Sequence, residues 1–264
     1  MKNLLKRVLP RPVLSMLRSA HGKIMHLRFL PQYVDGLRFD MLRTAYETEG
    51  MSFAIPKGST KLPHRARFWR DTHEFDEREL VKQYLPHDAT VLELGACLGI
   101  VSCVIGRALD RPERHVAVEA NPALISALEA NRDRNTASFR VEHGLVSRRS
   151  DGSFFLSDCF VMSSGTADVG EKITVPVLTV EEIEARNQLK FDAVFMDIQG
   201  GELEFLEDNA DFLTRCRCVI LEVHPHIIGE EKCELCRTRL KSAGLELTAH
   251  RGLVEVWLRP RVRV

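Results

Sequence analysis

Two short apolar segments of the sequence contain, or are followed by, glycine and acidic residues. These residue types could bind a nucleoside. Gly95 and Gly99 lie four residues apart at and just after the segment TVLELG, and Glu93 lies within it. Glycine lets the backbone approach a ligand where a Cβ atom would not. Glu119 ends the next apolar segment, HVAVEA. The spacing G-x-G-x-x-G, which cradles a pyrophosphate, is absent, and Glu93 would repel a phosphate.

These residue types favour a nucleoside that carries a positive charge. A carboxylate at Glu119 can accept hydrogen bonds from both hydroxyls of a ribose, and an acid at Glu93 suits a cationic or zwitterionic group. S-adenosylmethionine has both features, so we predict it as the cofactor. The alternative is that Glu93 caps a neighbouring loop and Glu119 is solvated. The predicted cofactor contacts are Glu93, Gly95, Ala96, Gly99, Glu119 and Asn121.

Three further residues could act as a general base. Asp197 follows the apolar segment FDAVFM, and Glu222 and His224 end the segment VILEVH. Methyl transfer from a sulfonium holds the acceptor oxygen about 3–3.5 Å from the methyl carbon, and a hydroxyl acceptor needs a base for its proton. An imidazole with a pKa of about 6.5 is largely neutral at pH 7. A carboxylate with a pKa of about 3.9 needs burial to become a useful base.

Each of these residues also has a structural interpretation. Asp197 could orient the amino group of the cofactor or cap a helix that begins near Gly201, and His224 could make a structural hydrogen bond beside Pro225. Glu202 is expected to orient a neighbour or to cap the same helix start.

The elements that position these residues alternate between strands and helices. This alternation predicts an α/β fold: a mostly parallel sheet with helices on both faces and a C-terminal antiparallel hairpin. In such sheets ligands bind beyond the carboxyl ends of the strands. Helix starts are predicted by Asp76 with Glu79, by Asn121, and by Thr179 with Glu182. The predicted strands are residues 90–95, 115–120, 139–146, 191–198, 218–223, 245–249 and 254–258.

Four blocks of the sequence resemble the FkbM family of S-adenosylmethionine-dependent methyltransferases. They are HEFDERELVKQYLPHDATVLELGACLGIVSCVIGR, VAVEANP, FDAVFMDIQGGELEFL and VILEVHP. The resemblance spans about residues 70–258. It implies a Rossmann-like class I methyltransferase, and many members of that family methylate hydroxyls of sugars and polyketide-type products.

The chain departs from the pattern of that family at three positions. Cys97 replaces the usual asparagine of the glycine turn, and Ala120 replaces a proline. Gln199 replaces the glutamate of the usual Asp-x-Glu-Gly; it keeps the shape of glutamate but cannot act as a base. These departures leave open a non-catalytic, cofactor-binding scaffold.

The formal net charge of zero over 264 residues conceals a basic N-terminus. Residues 1–34 hold seven basic and no acidic side chains, with apolar residues at helical spacing between Val13 and Leu30. Such a segment can lie on an anionic membrane surface or pack on the protein body. We therefore predict an N-terminal extension, residues 1–72, before a methyltransferase domain, residues 73–264.

The composition of the sequence favours some cellular locations over others. No apolar run approaches the roughly 20 residues of a membrane-spanning helix, and prolines and charges interrupt any signal-peptide core. The seven cysteines are an odd number in a long chain, which favours reduced thiols. We predict a cytoplasmic protein, or one peripheral at the inner face of the membrane.

Two alternatives concern other ligands. Cys233 and Cys236 have zinc-ligand spacing, but cysteine at helical spacing is also common in cores, and no metal is predicted. A nucleic-acid methyltransferase would usually show Pro-Pro-aromatic after its fourth strand or a Pro-Cys nucleophile, whereas Asp197 precedes Ile-Gln-Gly. The mildly acidic body also does not suit a phosphate backbone. A glycan or other small-molecule acceptor is therefore expected.

Overall fold

The computed structural model describes residues 30–57, 60–156 and 170–260. Residues 30–44 and 61–73 form one compact unit, and residues 45–57, 60 and 74–260 form a second. The second unit resumes at Glu74, and the domain boundary at residue 73 stays a prediction. Residues 45–57 and 60, however, belong to that second unit although they precede residue 73.

The first unit contains two helices, α1 (residues 30–42) and α2 (Leu62–Trp69). The Phe39 ring packs 5.5 Å from the Phe68 ring. Gly36 allows a close helix contact, because a Cβ atom there would lie 2.0 Å from the Leu62 carbonyl oxygen. An ion pair between Arg65 and Asp40, at 2.6 Å, also joins the two helices.

The second unit is built on a seven-stranded sheet. Its order is β12-β13-β11-β10-β3-β4-β5, and all neighbours pair in parallel except β13, which is antiparallel to β11 and β12. This confirms the predicted parallel sheet with a C-terminal antiparallel hairpin. Its strands are β3 (Val91–Leu94), β4 (His115–Glu119), β5 (Arg140–His143), β10 (Ala193–Met196), β11 (Cys218–Glu222), β12 (Glu246–Arg251) and β13 (Val254–Leu258).

Three small two-stranded sheets complete the strands of this unit. Their members are β1 (Tyr46–Thr48) with β2 (Met51–Phe53), β6 (Leu145–Val146) with β9 (Val177–Leu178), and β7 (Ser153–Leu156) with β8 (Glu171–Thr174).

Helices connect the strands of the large sheet, as the alternating pattern predicts. They are α3 (Phe75–Tyr84), α4 (Ile100–Ala108), α5 (Pro122–Arg134), α6 (Val180–Asn187), α7 (Glu202–Asp208), α8 (Ala210–Arg215), α9 (Pro225–Ile228) and α10 (Glu230–Ser242). Every residue of β3 and β10 is buried, as expected for parallel strands covered on both faces. No helix among the described residues is both long and apolar enough to cross a bilayer.

Local capping signals predicted two helix starts correctly and a third one incorrectly. The Asn121 side chain accepts a hydrogen bond from the Ala123 N–H, and Thr179 with Glu182 forms a complete capping box. The predicted start at Asp76 is wrong. Helix α3 begins one residue earlier and is preceded by Glu74 in a left-handed conformation (φ 49°), without a side-chain cap.

The predicted strand 139–146 is broken at Gly144. The Gly144 N–H donates to the Glu119 carbonyl at 3.0 Å, and the next N–H, of Leu145, donates to the Pro176 carbonyl at 2.8 Å. The chain therefore leaves the large sheet after β5 and pairs with β9 instead. A Cβ atom at residue 144 would lie 2.8 Å from the Pro176 carbonyl oxygen, so this crossing favours glycine.

Cys233 and Cys236 lie on α10 and are fully buried in the hydrophobic core beside Leu240. Burial raises the pKa of the Cys236 thiol to about 12, which keeps it protonated. Both cysteines therefore fill the core, as the structural alternative to the zinc hypothesis expects.

Asn131 joins the β1–β2 hairpin to the glycine turn. Its buried amide accepts a hydrogen bond from the Ala54 N–H (2.7 Å) and donates to the carbonyls of Ala54 (3.1 Å) and Leu98 (2.9 Å). We expect Asn131→Ala to lower the free energy of unfolding by about 2–3 kcal/mol, because it leaves buried backbone groups without partners. Urea unfolding measures this loss. Arg134→Ala, an exposed site on the same helix, is the control, and equal stability of the two variants would contradict the role of Asn131.

Candidate active site

A cleft opens at the carboxyl ends of β3, β4 and β10. This is the edge at which open α/β sheets bind ligands. Its polar lining includes Glu74, Glu119, Asp197 and Gln199, and its apolar lining includes Leu94, Val118, Leu124, Leu145, Val146, Phe154 and Ile198.

The glycine turn after β3 is held tightly between neighbouring strands. The N–H groups of Gly95 and Ala96 both donate to the Val118 carbonyl, at 3.0 and 3.1 Å. Gly95 has φ +85°, and a Cβ atom there would lie 1.9 Å from the Asp197 carbonyl oxygen. Gly99 has φ +80°, and its Cβ atom would lie 2.7 Å from a methyl carbon of Leu128. Both glycines are required by the conformation and by close approach.

Cys97 occupies a position whose backbone explains the asparagine usual in the family. Its φ of 52° lies in the left-handed region, which asparagine tolerates better than most residues. The Cys97 N–H still donates to Oε2 of Glu119, at 2.8 Å. Burial, followed by the charges of Glu74 and Glu119, raises the pKa of the Cys97 thiol well above its usual value. Cysteine in place of asparagine therefore preserves the turn, and its thiol stays uncharged.

Glu119 is the best-positioned acid for a ribose. Its two carboxylate oxygens accept hydrogen bonds from the N–H groups of Cys97 (2.8 Å) and Asn121 (2.7 Å). Each oxygen has capacity for a second bond. Burial raises the pKa of Glu119, and the backbone N–H groups partly offset that effect. The carboxylate is thus fixed at the cleft with oxygens that suit a diol.

Four of the predicted cofactor contacts, Glu93, Ala96, Gly99 and Asn121, are not among the residues that line the cleft. Glu93 is fully buried, and its Oε2 lies 2.8 Å from Nε2 of the buried His115, so its carboxyl group is engaged inside the protein. Asn121 uses its side chain to cap α5. Ala96 is buried and contributes its backbone to the turn rather than a side chain to the cleft.

Asp197, Glu222 and His224 come together where β10 and β11 end. Nε2 of His224 lies 3.2 Å from Oε2 of Glu222 and 3.4 Å from Oδ1 of Asp197. Asp197 lines the cleft. The three residues predicted as catalytic therefore form one cluster, with Asp197 on the cleft side.

His224 does not have the neutral imidazole that the sequence-based argument assumed. Burial favours the neutral ring, but hydrogen bonds with Glu202 and Glu222 and the charge of Asp197 outweigh it and raise the pKa of His224 to about 10. The ring is therefore protonated at pH 7 and cannot accept a proton there. Burial, together with the charge of Glu222, raises the pKa of Asp197 well above its usual value, which makes Asp197 the stronger candidate for the base.

Two neighbours hold this cluster in place. Oε1 of Glu202 accepts hydrogen bonds from Nδ1 of His224 (2.8 Å) and from the Gly200 N–H (3.0 Å). Glu202 thus orients His224, in agreement with the orienting role expected from the sequence. The Gln199 amide nitrogen lies 3.0 Å from Oδ1 of Asp197, so glutamine at this position supplies a donor to the candidate base.

Several residues of the cleft could not be predicted from the sequence. Glu74 and Phe154 line the cleft, and so do Leu145 and Val146. Leu145 and Val146 arrive there because the chain leaves the large sheet at Gly144. None of these residues belongs to a motif with a fixed spacing, so only the folded backbone brings them to the site.

Glu77, on α3, adds a titratable group with a measurable effect on stability. Burial, with the charges of Glu222 and Glu74, raises the pKa of Glu77 to about 8. The folded protein therefore binds a proton more tightly than the unfolded chain, and stability is lost as the pH rises from about 5 to 8. We expect Glu77→Gln to remove this slope and to stabilise the protein by roughly 5 kcal/mol at pH 9 relative to its effect at pH 4. Thermal unfolding across pH measures it, with Glu79→Gln as control; an unchanged slope would contradict the assignment.

The fold and the cleft define a Rossmann-like methyltransferase. The Methyltransferase FkbM domain family matches residues 93–250. The chain belongs to this family of methyltransferases, and its methyl donor is S-adenosylmethionine.

Similar proteins include one curated relative and several solved structures. Hexuronic acid methyltransferase AglP of Haloferax volcanii is 26% identical over 174 residues, covering 63% of this chain and 70% of the relative. An O-methyltransferase from Bacillus cereus in complex with SAH is 15% identical with a TM-score of 0.44, covering 86% of this chain and 97% of that one. Precorrin-6y C5,15-methyltransferase from Geobacter metallireducens GS-15 is also 15% identical, with a TM-score of 0.44 and coverage of 79% and 94%.

Proposed function

We propose that the protein transfers a methyl group from S-adenosylmethionine to a hydroxyl oxygen of a sugar, as part of a glycan or glycolipid. The observation that carries this proposal is the position of Asp197, a half-buried carboxyl that lines the cleft directly beside the glycine turn. A carboxyl with a raised pKa at that position can receive the proton of an acceptor hydroxyl.

The residues present fit the cofactor. Gly95 contributes backbone without a side chain to the cleft lining, and Glu119 presents a fixed carboxylate suited to a ribose. Leu124 and Ile198 add apolar surface that suits the adenine ring of the cofactor. When bound, S-adenosylmethionine supplies an electrophilic methyl group. Glu93, which lies outside the cleft, is left out of this proposed set.

The acceptor proposal rests on the charge of the cleft and on one relative. Among the described residues that line the cleft, all the charged side chains are acidic: Glu74, Glu119 and Asp197. Such a lining favours a neutral hydroxyl over a carboxylate acceptor and does not suit a nucleic-acid backbone. AglP is named for a hexuronic acid, which offers both hydroxyl and carboxylate oxygens, so a sugar acceptor agrees with it.

Radiolabelled methyl transfer to a panel of neutral sugars, uronic acids, glycans and glycolipids tests this proposal. Label in a sugar product that survives mild alkali identifies a methyl ether and a hydroxyl acceptor. Label released by mild alkali identifies a methyl ester and contradicts the hydroxyl assignment. Label in nucleic acid alone would contradict the sugar assignment.

Helix α1 supports a second proposal, contact with an anionic membrane surface. Phe39 on this helix is buried, while a different face presents an exposed apolar stripe. Residues 1–34 carry the basic excess of the sequence, although residues 1–29 lie outside the described part. The stripe comprises Leu30 (53% exposed), Tyr33 (42%), Val34 (39%), Leu37 (47%) and Met41 (79%).

We expect the protein to co-sediment with vesicles containing phosphatidylglycerol and not with vesicles of phosphatidylcholine alone. Replacing Leu37 and Met41 together by serine should weaken binding about tenfold, because it removes buried apolar area and leaves the charge unchanged. Leu247→Ser, at another exposed leucine (46%) on β12, is the matched control. Equal binding by all variants, or no binding to anionic vesicles, would contradict this proposal.

A further inference from the structure

The cluster at the ends of β10 and β11 has the composition and spacing of a metal site. Asp197, Glu222 and His224 each offer one ligand atom, and these atoms all lie within 4.8 Å of one another. They come from two neighbouring strand ends, so the backbone of the sheet fixes their positions. We propose that these three side chains bind one divalent cation, of the Mn²⁺, Fe²⁺ or Zn²⁺ type, beside the acceptor side of the cleft.

The distances fit ligands that share one ion. Two ligand atoms that are each about 2.1 Å from a metal lie about 3.0 Å apart at a 90° angle and about 3.4 Å apart at a tetrahedral angle. Nε2 of His224 lies 3.2 Å from Oε2 of Glu222 and 3.4 Å from Oδ1 of Asp197. A cation can therefore enter between these atoms when Nε2 of His224 releases its proton and the Gln199 amide nitrogen, 2.9 Å from Nε2, moves aside.

The second nitrogen of His224 provides an independent observation. Nδ1 is held 2.8 Å from Oε1 of the fully buried Glu202, whose same oxygen also accepts the Gly200 N–H. Metal-binding histidines typically donate their other ring N–H to a carboxylate or a carbonyl, which fixes the ring and directs the free nitrogen at the metal. Glu202 lies outside the ligand cluster and does this for His224, which is 1% exposed.

On the other side of the ring, Nε2 of His224 faces more acceptor groups than a single N–H can serve. Nε2 of His224 faces carboxylate oxygens of both Glu222 and Asp197, and the Gln199 amide nitrogen lies 2.9 Å away. One N–H bond points at one acceptor, whereas one cation attracts both carboxylates and the ring nitrogen together. One imidazole and two carboxylates are a ligand set that suits Mn²⁺, Fe²⁺ or Zn²⁺.

An ion at this position would add a specific chemistry to the proposed reaction. Three protein ligands leave coordination positions for water or for an acceptor hydroxyl. A hydroxyl bound there becomes more acidic. Its proton passes to the second carboxylate oxygen of Asp197, its oxygen bonds to the methyl carbon as the carbon–sulfur bond breaks, and S-adenosylhomocysteine is left. This role rests on the proposed function, whereas ion binding can be measured without it.

Titration of EDTA-treated, full-length protein with Mn²⁺, followed by the EPR signal of the free ion, tests the site. We expect one ion per chain, with affinity at least tenfold weaker in His224→Ala and in the isosteric Glu222→Gln. Glu202→Gln, which keeps all three ligands, should weaken binding about tenfold through loss of ring orientation. Asp88→Asn, an exposed acid before β3 at the opposite edge of the sheet, is the control and should bind as the wild type does. Circular dichroism establishes that each variant is folded.

The outcomes separate this inference from the proposed function. Absence of stoichiometric Mn²⁺ binding, or equal binding by wild type and by both ligand variants, would overturn the site. Methyl transfer that continues undiminished in EDTA would overturn its catalytic role while leaving the proposed function intact. Failure of S-adenosylhomocysteine to stabilise the wild type would count against the proposed function, and the Mn²⁺ titration would still report on the site.

Discussion

Replacing Asp197 by asparagine should lower methyl transfer by a factor of about 10²–10³ while S-adenosylhomocysteine still binds. Asparagine keeps the size of the side chain but cannot receive a proton, and general base catalysis contributes about 10²–10⁴-fold. Asp197 is the member of the strand-end cluster that lines the cleft, and its raised pKa makes it a stronger base than an exposed carboxylate. Turnover with saturating S-adenosylmethionine measures the loss.

The matched control for this variant is Asp192→Asn. Asp192 immediately precedes β10, whereas Asp197 immediately follows it, and Asp192 pairs with Arg217 at 2.8 Å away from the cleft. We expect turnover within a few-fold of the wild type. If Asp197→Asn also retains turnover, the proton is taken elsewhere and the proposed role of Asp197 is wrong.

Replacing Glu119 by alanine should abolish most of the thermal stabilisation that S-adenosylhomocysteine gives. The carboxylate is fixed by two backbone N–H groups and its remaining hydrogen-bonding capacity faces the cleft lining. Hydrogen bonds to a charged group contribute about 1.5–3 kcal/mol each, so losing two of them should weaken the ligand by at least 100-fold. Differential scanning fluorimetry with increasing S-adenosylhomocysteine measures the effect.

Glu119→Ala also removes the acceptor of the Cys97 and Asn121 N–H groups, so the unliganded variant should melt at a lower temperature. The informative quantity is therefore the shift on adding ligand, relative to the same variant without it. Glu142→Ala, on the neighbouring strand β5 and outside the cleft lining, should keep the full shift. A full shift in Glu119→Ala would exclude Glu119 from the cofactor site.

Local patterns in the sequence predicted the sheet and the ends of its strands well. Short apolar segments that end in glycine or in an acid are typical of buried parallel strands, and the site follows because parallel strands share one carboxyl edge. Asp197, Glu222 and His224 could therefore be assigned to one region before their distances were known.

Features that depend on distant partners were not predictable in the same way. Glu93 lies on a strand buried on both faces, so alternation could not show that it points toward His115 rather than the cleft. The pKa of His224 depends on Glu202, which is 22 residues away in the sequence. The break at Gly144 depends on pairing with β9, more than 30 residues later.

The placement of the β1–β2 hairpin shows the same limit. The sequence predicts that the hairpin belongs to the N-terminal extension, whereas it joins the second unit. The amides of Asn131 and Asn135 bond to the backbone of Ala54 and Ser52 and attach the hairpin to α5. Side-chain amides on a predicted helix give no sign of such partners.

The most direct test of the central claim is transfer of labelled methyl from S-adenosylmethionine to a sugar by the wild-type protein and by Asp197→Asn. We predict that the wild type forms an alkali-stable methyl ether and that Asp197→Asn, with its S-adenosylhomocysteine binding intact, forms at most about one hundredth as much. Equal product from both proteins, or a wild type that binds S-adenosylhomocysteine yet methylates no sugar hydroxyl, would contradict the account.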